Sequence, residues 1–209
     1  MCEDSSATCS GFGHDATEEP PVEDGGRIKW TSRIRELASV VLPKPKGARV
    51  LMMPFWLHDV RGSLPEFLAD WSAALSDLIK MSPCQYGTGY LTIDERMTPQ
   101  GRTHRRPGLH VDGWAHDGVD SGVWGSGGGG SWGKGALGIV TVSSHVGCAA
   151  WNQEFEGEPA EYGDCESLRP QCREEARVEL RAGTVYHMTG LTVHESLPLT
   201  VDAFRQFVR

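Results

Sequence analysis

Two histidines and one aspartate provide a possible metal site. His110 and Asp112 are separated by one residue, and His194 lies far downstream. Alternate residues of a β-strand point to the same face, so His110 and Asp112 could bind one metal ion together. Two imidazoles and one carboxylate are the ligand set of mononuclear non-haem Fe(II) centres, which keep metal positions open for substrate and O₂. The residue types therefore predict an Fe(II) site at His110, Asp112 and His194.

The sequence around His194 strengthens this prediction, because a His-x-Asp triplet alone often arises by chance. Gly183 opens a short apolar segment, a turn follows, and His194 comes after the turn; Arg205 then lies on the next predicted strand. This pattern, together with the His110-Val111-Asp112 triplet, resembles the Fe(II)/2-oxoglutarate-dependent dioxygenases. In that superfamily an arginine follows the second metal-binding histidine and binds a carboxylate of the co-substrate.

The resemblance covers roughly residues 86–209 and implies a double-stranded β-helix, the jelly-roll barrel that cupins also use. It implies that His110, Asp112 and His194 bind Fe(II) and that Arg205 binds 2-oxoglutarate. A guanidinium suits this role because it can donate two parallel hydrogen bonds to one carboxylate. The implied reaction consumes O₂, hydroxylates the substrate and releases succinate and CO₂. Many members carry Ser or Thr two residues after the arginine, whereas this chain has Phe207.

Other residues compete for roles in the site. His187 is the rival of His194 as a ligand, although its place inside a predicted strand favours a packed or supporting histidine. Glu195 is interpreted as an exposed acid in preference to a residue that orients His194. Two further pairs with metal-ligand character are interpreted as loop or structural residues: His116 with Asp117, and His145 with Cys148.

Several residues near the predicted site could contact ligands. Tyr90 fits equally well as a co-substrate contact and as a core tyrosine. The basic cluster formed by Arg102, Arg105 and Arg106 could bind an anionic substrate or 2-oxoglutarate, although solvated arginines are the favoured interpretation. A Gly/Trp-rich loop over residues 113–135 contains three tryptophans that could close over a substrate: Trp114, Trp124 and Trp132.

Two other functions remain open at this point. The chain could be a cupin-like metal-dependent lyase, isomerase or dioxygenase that needs no co-substrate, in which case Arg205 binds substrate or stabilises the fold. It could also be a jelly-roll binding module without catalytic activity. Asp112 argues against halogenation, because the halogenases of the superfamily leave that ligand position open for halide. A small molecule or a peptide is the expected substrate.

The predicted elements begin with helices and end with strands. Residues 1–26 form an expected disordered acidic tail, and residues 27–209 form one domain. Apolar spacing predicts a helix over 28–42 and a buried strand over 49–57, and Ser63-Leu64-Pro65-Glu66 predicts a capped helix that ends before Pro83. Short apolar segments separated by turn residues predict strands at 90–93, 109–111, 137–142, 177–180, 184–188 and 199–208. The expected class is α+β, with N-terminal helices packed on the double-stranded β-helix.

Composition limits the partners. The net charge is −8, of which the tail contributes −7, so the rest of the chain is nearly neutral and lacks the broad basic surface of nucleic-acid-binding proteins. No segment has the length and apolarity of a membrane span, and the N-terminus lacks the features of a secretory signal, so a cytoplasmic location is expected. No Cys-x-x-Cys pair occurs, and Cys165 and Cys172 could pair only in an oxidising compartment.

Overall fold

The structure is a computed structural model that describes residues 22–24, 27–113 and 138–209. Most of the expected acidic tail and of the Gly/Trp-rich loop lies outside these residues, as do the three loop tryptophans, His116 and Asp117. The described residues form antiparallel strands, two α-helices and short 3₁₀ turns. The strands are β1 Val22–Asp24, β2 Arg27–Ser32, β3 Ile34–Ser39, β4 Arg49–Trp56, β5 Thr88–Thr98, β6 Ile139–Ser143, β7 Cys148–Trp151, β8 Gln153–Glu156, β9 Arg177–Glu179, β10 Thr184–Met188, β11 His194–Ser196 and β12 Ala203–Val208.

The strands form three sheets. A six-stranded sheet has the order β3-β10-β6-β12-β5-β4, and two three-stranded sheets have the orders β11-β7-β9 and β1-β2-β8. The long β5 pairs with β12 on one side and with β4 on the other. Strand β12 therefore lies inside the large sheet, and its side chains project alternately to the two faces.

The helices cover one face of the large sheet. The helix α1 spans Val60–Ser63, a 3₁₀ helix spans Glu66–Trp71, and α2 spans Ser72–Met81, so the predicted end before Pro83 is confirmed. Leu68, Trp71 and Leu75 pack in one cluster with Leu91 and Ile93 of β5. The other face of the large sheet looks toward the β11-β7-β9 sheet, because a second cluster joins residues of both sheets: Ile34, Ile139, Tyr186 and Met188 with Ala150 and Leu180.

The predicted capping box is wrong. Ser63 ends α1, where its hydroxyl donates to the Asp59 carbonyl at 2.6 Å and accepts from the Trp56 amide at 3.1 Å. The following 3₁₀ helix begins without a side-chain cap. Its tighter winding of about three residues per turn places Leu68 and Trp71 on the buried side. Phe67, on the other side of this helix, is 62% exposed.

The predicted helix over residues 28–42 is also wrong, because this segment forms β2 and β3. Trp30 of β2 lies opposite Phe155 of β8, and the two rings stack at 5.3 Å between centroids. Ile34 of β3 pairs with Met188 of β10. These cross-strand contacts decide the conformation, and the alternation of buried and partly exposed residues from Ile28 to Ile34 agrees with a strand.

The later strands are predicted in part. The segment expected as a buried strand over 49–57 is a strand, β4, but it is not buried, because Phe55 is its one buried residue. The strands expected within β5, β6, β9, β10 and β12 are confirmed. The expected strand over 109–111 is an isolated bridge instead, while β7 and β8 were not anticipated. Strand β1 lies within the segment that was expected to be disordered, where it pairs with β2.

The class is α+β with mostly antiparallel sheets. The open sheets are compatible with a β-sandwich, and closure into a double-stranded β-helix stays a prediction. Among the described residues, no helix has the length and apolar character needed to cross a membrane.

Candidate metal centre and arginine-lined cavity

The backbone brings the two predicted histidine ligands together. The His110 amide donates to the His194 carbonyl at 2.9 Å, and the His194 amide donates back to the His110 carbonyl at 2.9 Å. This reciprocal antiparallel bridge places the two imidazole centroids 4.3 Å apart. One pair of backbone hydrogen bonds thus brings together two histidines that are more than eighty residues apart in sequence.

Each imidazole is oriented by a carbonyl two residues before it in sequence. His110 Nδ1 lies 2.8 Å from the Gly108 carbonyl oxygen, and His194 Nδ1 lies 2.8 Å from the Thr192 carbonyl oxygen. A carbonyl accepts only, so Nδ1 carries a proton in both rings and Nε2 is the ring atom that remains for a metal. This is the supporting arrangement found behind metal-binding histidines.

Asp112 completes the group. His194 Nε2 lies 3.7 Å from Asp112 Oδ2, and one donor atom from each of His110, Asp112 and His194 lies within 4.8 Å of the others. Two imidazole nitrogens and a carboxylate oxygen at this separation could hold one metal ion. The structure therefore brings together the three residues that were predicted as ligands.

The electrostatics of the three residues suit a cation. Burial, followed by the neighbouring His194, lowers the pKa of His110 from 6.5 to about 3, so its ring is neutral near pH 7. Burial alone would raise the pKa of the Asp112 carboxyl, but Arg209 and the two histidines lower it to about 2. Arg209 Nη1 donates to Asp112 Oδ2 at 2.6 Å. The site thus presents a neutral His110 imidazole and an ionised Asp112 carboxylate.

Arg205 lies in the same cavity and is 1% exposed. Its Nε donates to Ser143 Oγ at 2.7 Å, whereas its buried Nη1 has no hydrogen-bond partner among the described residues. Burial lowers the pKa of the guanidinium from 12.5 to about 10. A buried cation with an unused donor is costly unless an anion binds to it.

Both facing sheets contribute to the cavity. Arg205, Phe207 and Arg209 are alternate residues at the end of the chain, and all three line it. Gly147 lets the Arg205 head group approach, because a Cβ atom there would lie 2.8 Å from Arg205 Nη1. The remaining lining residues are Arg105, Arg106, His110, Asp112, Thr141, Cys148, Leu180, Met188, His194 and Ser196.

Tyr90 is not among the residues that line the cavity. It lies on β5 opposite Pro54 of β4 and is 43% exposed. The structure therefore does not bring Tyr90 together with Arg205, and the core position considered for it does not apply either.

The competing residues occupy other positions. His187 lies on β10 opposite Arg35 and Val140, outside the three-residue cluster. Glu195 accepts from Arg169 Nη2 at 2.8 Å, which engages its carboxylate in an ion pair. His145 Nδ1 contacts Ser144 Oγ at 2.9 Å.

The cysteine predictions have mixed outcomes. Cys148, expected to be structural, lines the cavity, and burial raises the pKa of its thiol to about 12. Cys165 and Cys172 are both free thiols. The site role of Cys148 could not be anticipated, because β7 was not recognised as a strand that faces the cavity.

Arg209 is the other site residue that was missed. The alternation of side chains along the last strand could have indicated Arg209, because Arg205, Phe207 and Arg209 share one face. Arg102 differs from its neighbours in the basic cluster, because only Arg105 and Arg106 line the cavity.

Comparisons with known proteins do not identify a relative. No protein-family model matches the chain, and neither the curated proteins nor the solved structures give a significant match. The functional assignment therefore depends on the residues of the cavity, and the family of the chain is not established.

Proposed function

We propose that this chain is an Fe(II)- and 2-oxoglutarate-dependent oxygenase that hydroxylates a small molecule or a peptide. One observation carries the proposal: the His110-Asp112-His194 cluster shares a cavity with Arg205, a buried arginine with an unused donor. The first group suits a metal ion, and the second suits a carboxylate at a short distance from it. Their combination favours a metal enzyme with a carboxylate-bearing co-substrate.

The donor set fits Fe(II). His110 and His194 would each provide Nε2, because both Nδ1 atoms donate to carbonyls, and Asp112 would provide a carboxylate oxygen. When bound in such a site, Fe(II) activates O₂ for an oxidation that is coupled to decarboxylation of 2-oxoglutarate. The overall change balances as substrate, 2-oxoglutarate and O₂ giving hydroxylated substrate, succinate and CO₂.

The protein's own side chains would bind and orient the reactants. Arg205 Nη1 would donate a hydrogen bond to one carboxylate of 2-oxoglutarate. The buried guanidinium would thereby gain an anionic partner. Arg209 holds Asp112 ionised and fixes one of its oxygens. Leu180, Met188 and Phe207 give the cavity an apolar wall that limits water.

Phe207 occupies the position where many members of the superfamily carry a hydroxyl. In this chain a hydroxyl can come from other strands, because Thr141 of β6 and Ser196 of β11 both line the cavity. The hydroxyl of Thr141 already donates its proton to the Val208 carbonyl at 2.8 Å. It would therefore accept a hydrogen bond from a ligand or make none. The departure at Phe207 thus changes which strand supplies the hydroxyl.

Two alternatives share parts of this site. A lyase, an isomerase or a hydrolytic zinc enzyme can use two histidines and a carboxylate without a co-substrate. A binding module would need no metal. In the first alternative Arg205 would bind the substrate or stabilise the fold, so the 2-oxoglutarate requirement separates it from the oxygenase. The binding module leaves the grouping of the metal ligands with the buried arginine unexplained.

The proposal is tested by adding 2-oxoglutarate to the Fe(II)-loaded protein without oxygen. We expect the visible absorption band of iron chelated by a 2-oxo acid, followed by succinate formation once O₂ and a substrate are supplied. Arg205→Met should require about 10-fold more 2-oxoglutarate or worse, because a charged hydrogen bond is lost. Arg61→Met, an exposed arginine outside the cavity, is the control.

Iron binding without the absorption band would favour the enzymes that need no co-substrate. Absence of iron binding would refute the proposal. A normal band at unchanged 2-oxoglutarate concentration in Arg205→Met would remove Arg205 from its assigned role.

A further inference from the structure

The cavity carries more positive charge than the proposed co-substrate can neutralise. Among the residues that the structure describes, its lining contains one carboxylate, Asp112, and four arginines: Arg105, Arg106, Arg205 and Arg209. Arg209 neutralises Asp112 at 2.6 Å, and Arg205 is assigned to 2-oxoglutarate. Arg105 and Arg106 remain, and they need an explanation of their own.

Arg105 has no carboxylate to itself. Its Nη1 lies 3.3 Å from Asp94 Oδ2, a long contact, and the same carboxylate also faces Arg49 and Arg96, each at 3.4 Å. One negative charge is therefore shared among three guanidiniums. Arg105 also lies over the Phe207 ring, with Cζ 5.1 Å from the ring centroid, and this contact holds the head group against the cavity wall.

Arg106 also has no close carboxylate among the described residues. Its Nη1 donates to the Tyr162 carbonyl at 2.9 Å, and Asp164 Oδ2 lies 3.8 Å from its Nη2. Asp164 forms a backbone bridge with His110, so Arg106 lies beside this ligand. A guanidinium has five N–H donors, and most of those of Arg106 have no close acceptor in these contacts.

Arg105 contacts the residue that lies between Arg205 and Arg209 on the cavity wall. Arg205, Phe207 and Arg209 follow one another on one face, and Arg105 lies over the ring of the middle residue. Burial and then the charge of Arg209 lower the pKa of the Arg105 guanidinium, and after burial the charge of Arg105 contributes to lowering the pKa of Arg205. The charges of Arg105, Arg205 and Arg209 therefore repel one another, and an anion in the cavity would relieve this repulsion.

We propose that Arg105 and Arg106 form a second anion site, which binds a carboxylate or phosphate group of the substrate. The substrate class is then a small organic acid, a phosphate ester or an acidic peptide. Assignment of this anion as substrate rests on the proposed function, whereas the anion site itself does not. Arg205 would then hold the co-substrate, and Arg105 with Arg106 would hold the anionic group of the substrate in the same cavity.

The experiment uses fluorine NMR of trifluoroacetate, a monocarboxylate, with the metal-free full chain. Arg205→Met removes the arginine that is assigned to the co-substrate. Trifluoroacetate binding that remains in this variant therefore reports the second site. We expect trifluoroacetate to bind Arg205→Met and inorganic phosphate to displace it. Adding Arg105→Met and Arg106→Met should weaken binding by about 10-fold or more, because hydrogen bonds to charged groups are lost.

Two controls exclude a folding defect and unspecific contact. Arg105→Lys with Arg106→Lys keeps both charges and should retain binding within about 3-fold, since a Lys ammonium binds anions as a point charge. Trifluoroethanol, which is neutral, should show no saturable binding. Loss of all trifluoroacetate binding in Arg205→Met alone would overturn the proposal, as would unchanged binding after both arginines are removed.

The proposed function and this inference fail in different ways. If the wild type gives no 2-oxoglutarate absorption band but trifluoroacetate binding depends on Arg105 and Arg106, the oxygenase proposal fails and the anion site stands. If the paired Met substitutions weaken 2-oxoglutarate as strongly as Arg205→Met does, the two arginines belong to the co-substrate site and the inference fails. Retention of 2-oxoglutarate affinity in the paired variant supports it.

Discussion

Replacing Arg205 with methionine should stabilise the metal-free protein while it weakens co-substrate binding. Arg205 is 1% exposed, and its Nε donates a hydrogen bond to Ser143 Oγ at 2.7 Å. Its Nη1 is buried without a hydrogen-bond partner among the residues described. Methionine keeps most of the aliphatic stem and removes the charge, so it separates the two roles.

The magnitude follows from the burial of the charge. Lowering the pKa of the guanidinium from 12.5 to about 10 corresponds to about 3 kcal/mol of destabilisation at neutral pH. The unfolded state binds more protons between these two pKa values, so the penalty is fully present below the lower one and fades above it. Losing the hydrogen bond to Ser143 costs about 1.5 kcal/mol. We expect a net gain of about 1–2 kcal/mol in the free energy of unfolding.

Urea unfolding of chelator-treated protein measures this gain. The same unfolding is then repeated with Mn(II), which replaces Fe(II) without O₂ chemistry, and with 2-oxoglutarate added. At about a hundred times its dissociation constant, 2-oxoglutarate should stabilise the wild type by about 2.7 kcal/mol beyond Mn(II) alone. Arg205→Met should gain from Mn(II) as the wild type does, whereas its gain from the same concentration of 2-oxoglutarate should fall to about 1.4 kcal/mol or less.

The matched control is Arg173→Met, whose side chain is 60% exposed and lies outside the cavity that holds the metal ligands. Its unfolding free energy should stay within about 0.5 kcal/mol of the wild type. The reasoning is refuted if Arg205→Met is destabilised by more than about 1 kcal/mol, because Arg205 would then be a satisfied structural cation.

Three further outcomes follow from the cavity and its surroundings. Burial lowers the pKa of His104 from 6.5 to about 4, so the unfolded state takes up protons first and stability falls as pH drops from about 6.5 toward 4. Between neutral pH and a pH of about 4.5, the free energy of unfolding of His104→Leu should fall by about 2 kcal/mol less than that of the wild type, as measured by urea unfolding. An unchanged pH dependence of stability would contradict this prediction. Gly147→Ala places a methyl group 2.8 Å from Arg205 Nη1 and should weaken 2-oxoglutarate binding by about 10-fold with Mn(II) affinity retained; equal loss of both would indicate general misfolding. Burial raises the pKa of the Cys148 thiol to about 12, so iodoacetamide near pH 8 should leave it unmodified in the folded protein by mass spectrometry, whereas rapid alkylation would place it in contact with solvent.

The metal ligands could be predicted from sequence because their residue types and spacing carry the chemistry directly. Their geometry has a different origin from the one expected, since His110 lies in an isolated bridge and not in a regular strand. The decisive bond pair joins His110 to His194, and no local sequence pattern encodes a contact between residues so far apart. The orientation of each ring by a carbonyl two residues earlier was equally invisible, because any residue type supplies a carbonyl.

The errors in the fold have a common cause. Residues 28–42 have apolar spacing compatible with a helix, and pairing of Trp30 with Phe155 and of Ile34 with Met188 turns them into strands. Tertiary contacts override local spacing when a sheet edge is available. Arg209 was missed for a related reason: its importance comes from the position of Asp112 on another segment, which only the folded chain reveals.

The central claim is that His110, Asp112 and His194 hold one metal ion. The most direct test is the iron content of protein that has been loaded with Fe(II) without oxygen and passed through a desalting column, for the wild type and four variants. The wild type and His187→Ala should retain one iron per chain, whereas His110→Ala, Asp112→Ala and His194→Ala should retain almost none. An iron-free wild type would contradict the claim, and so would loss of iron in His187→Ala with full retention in His194→Ala.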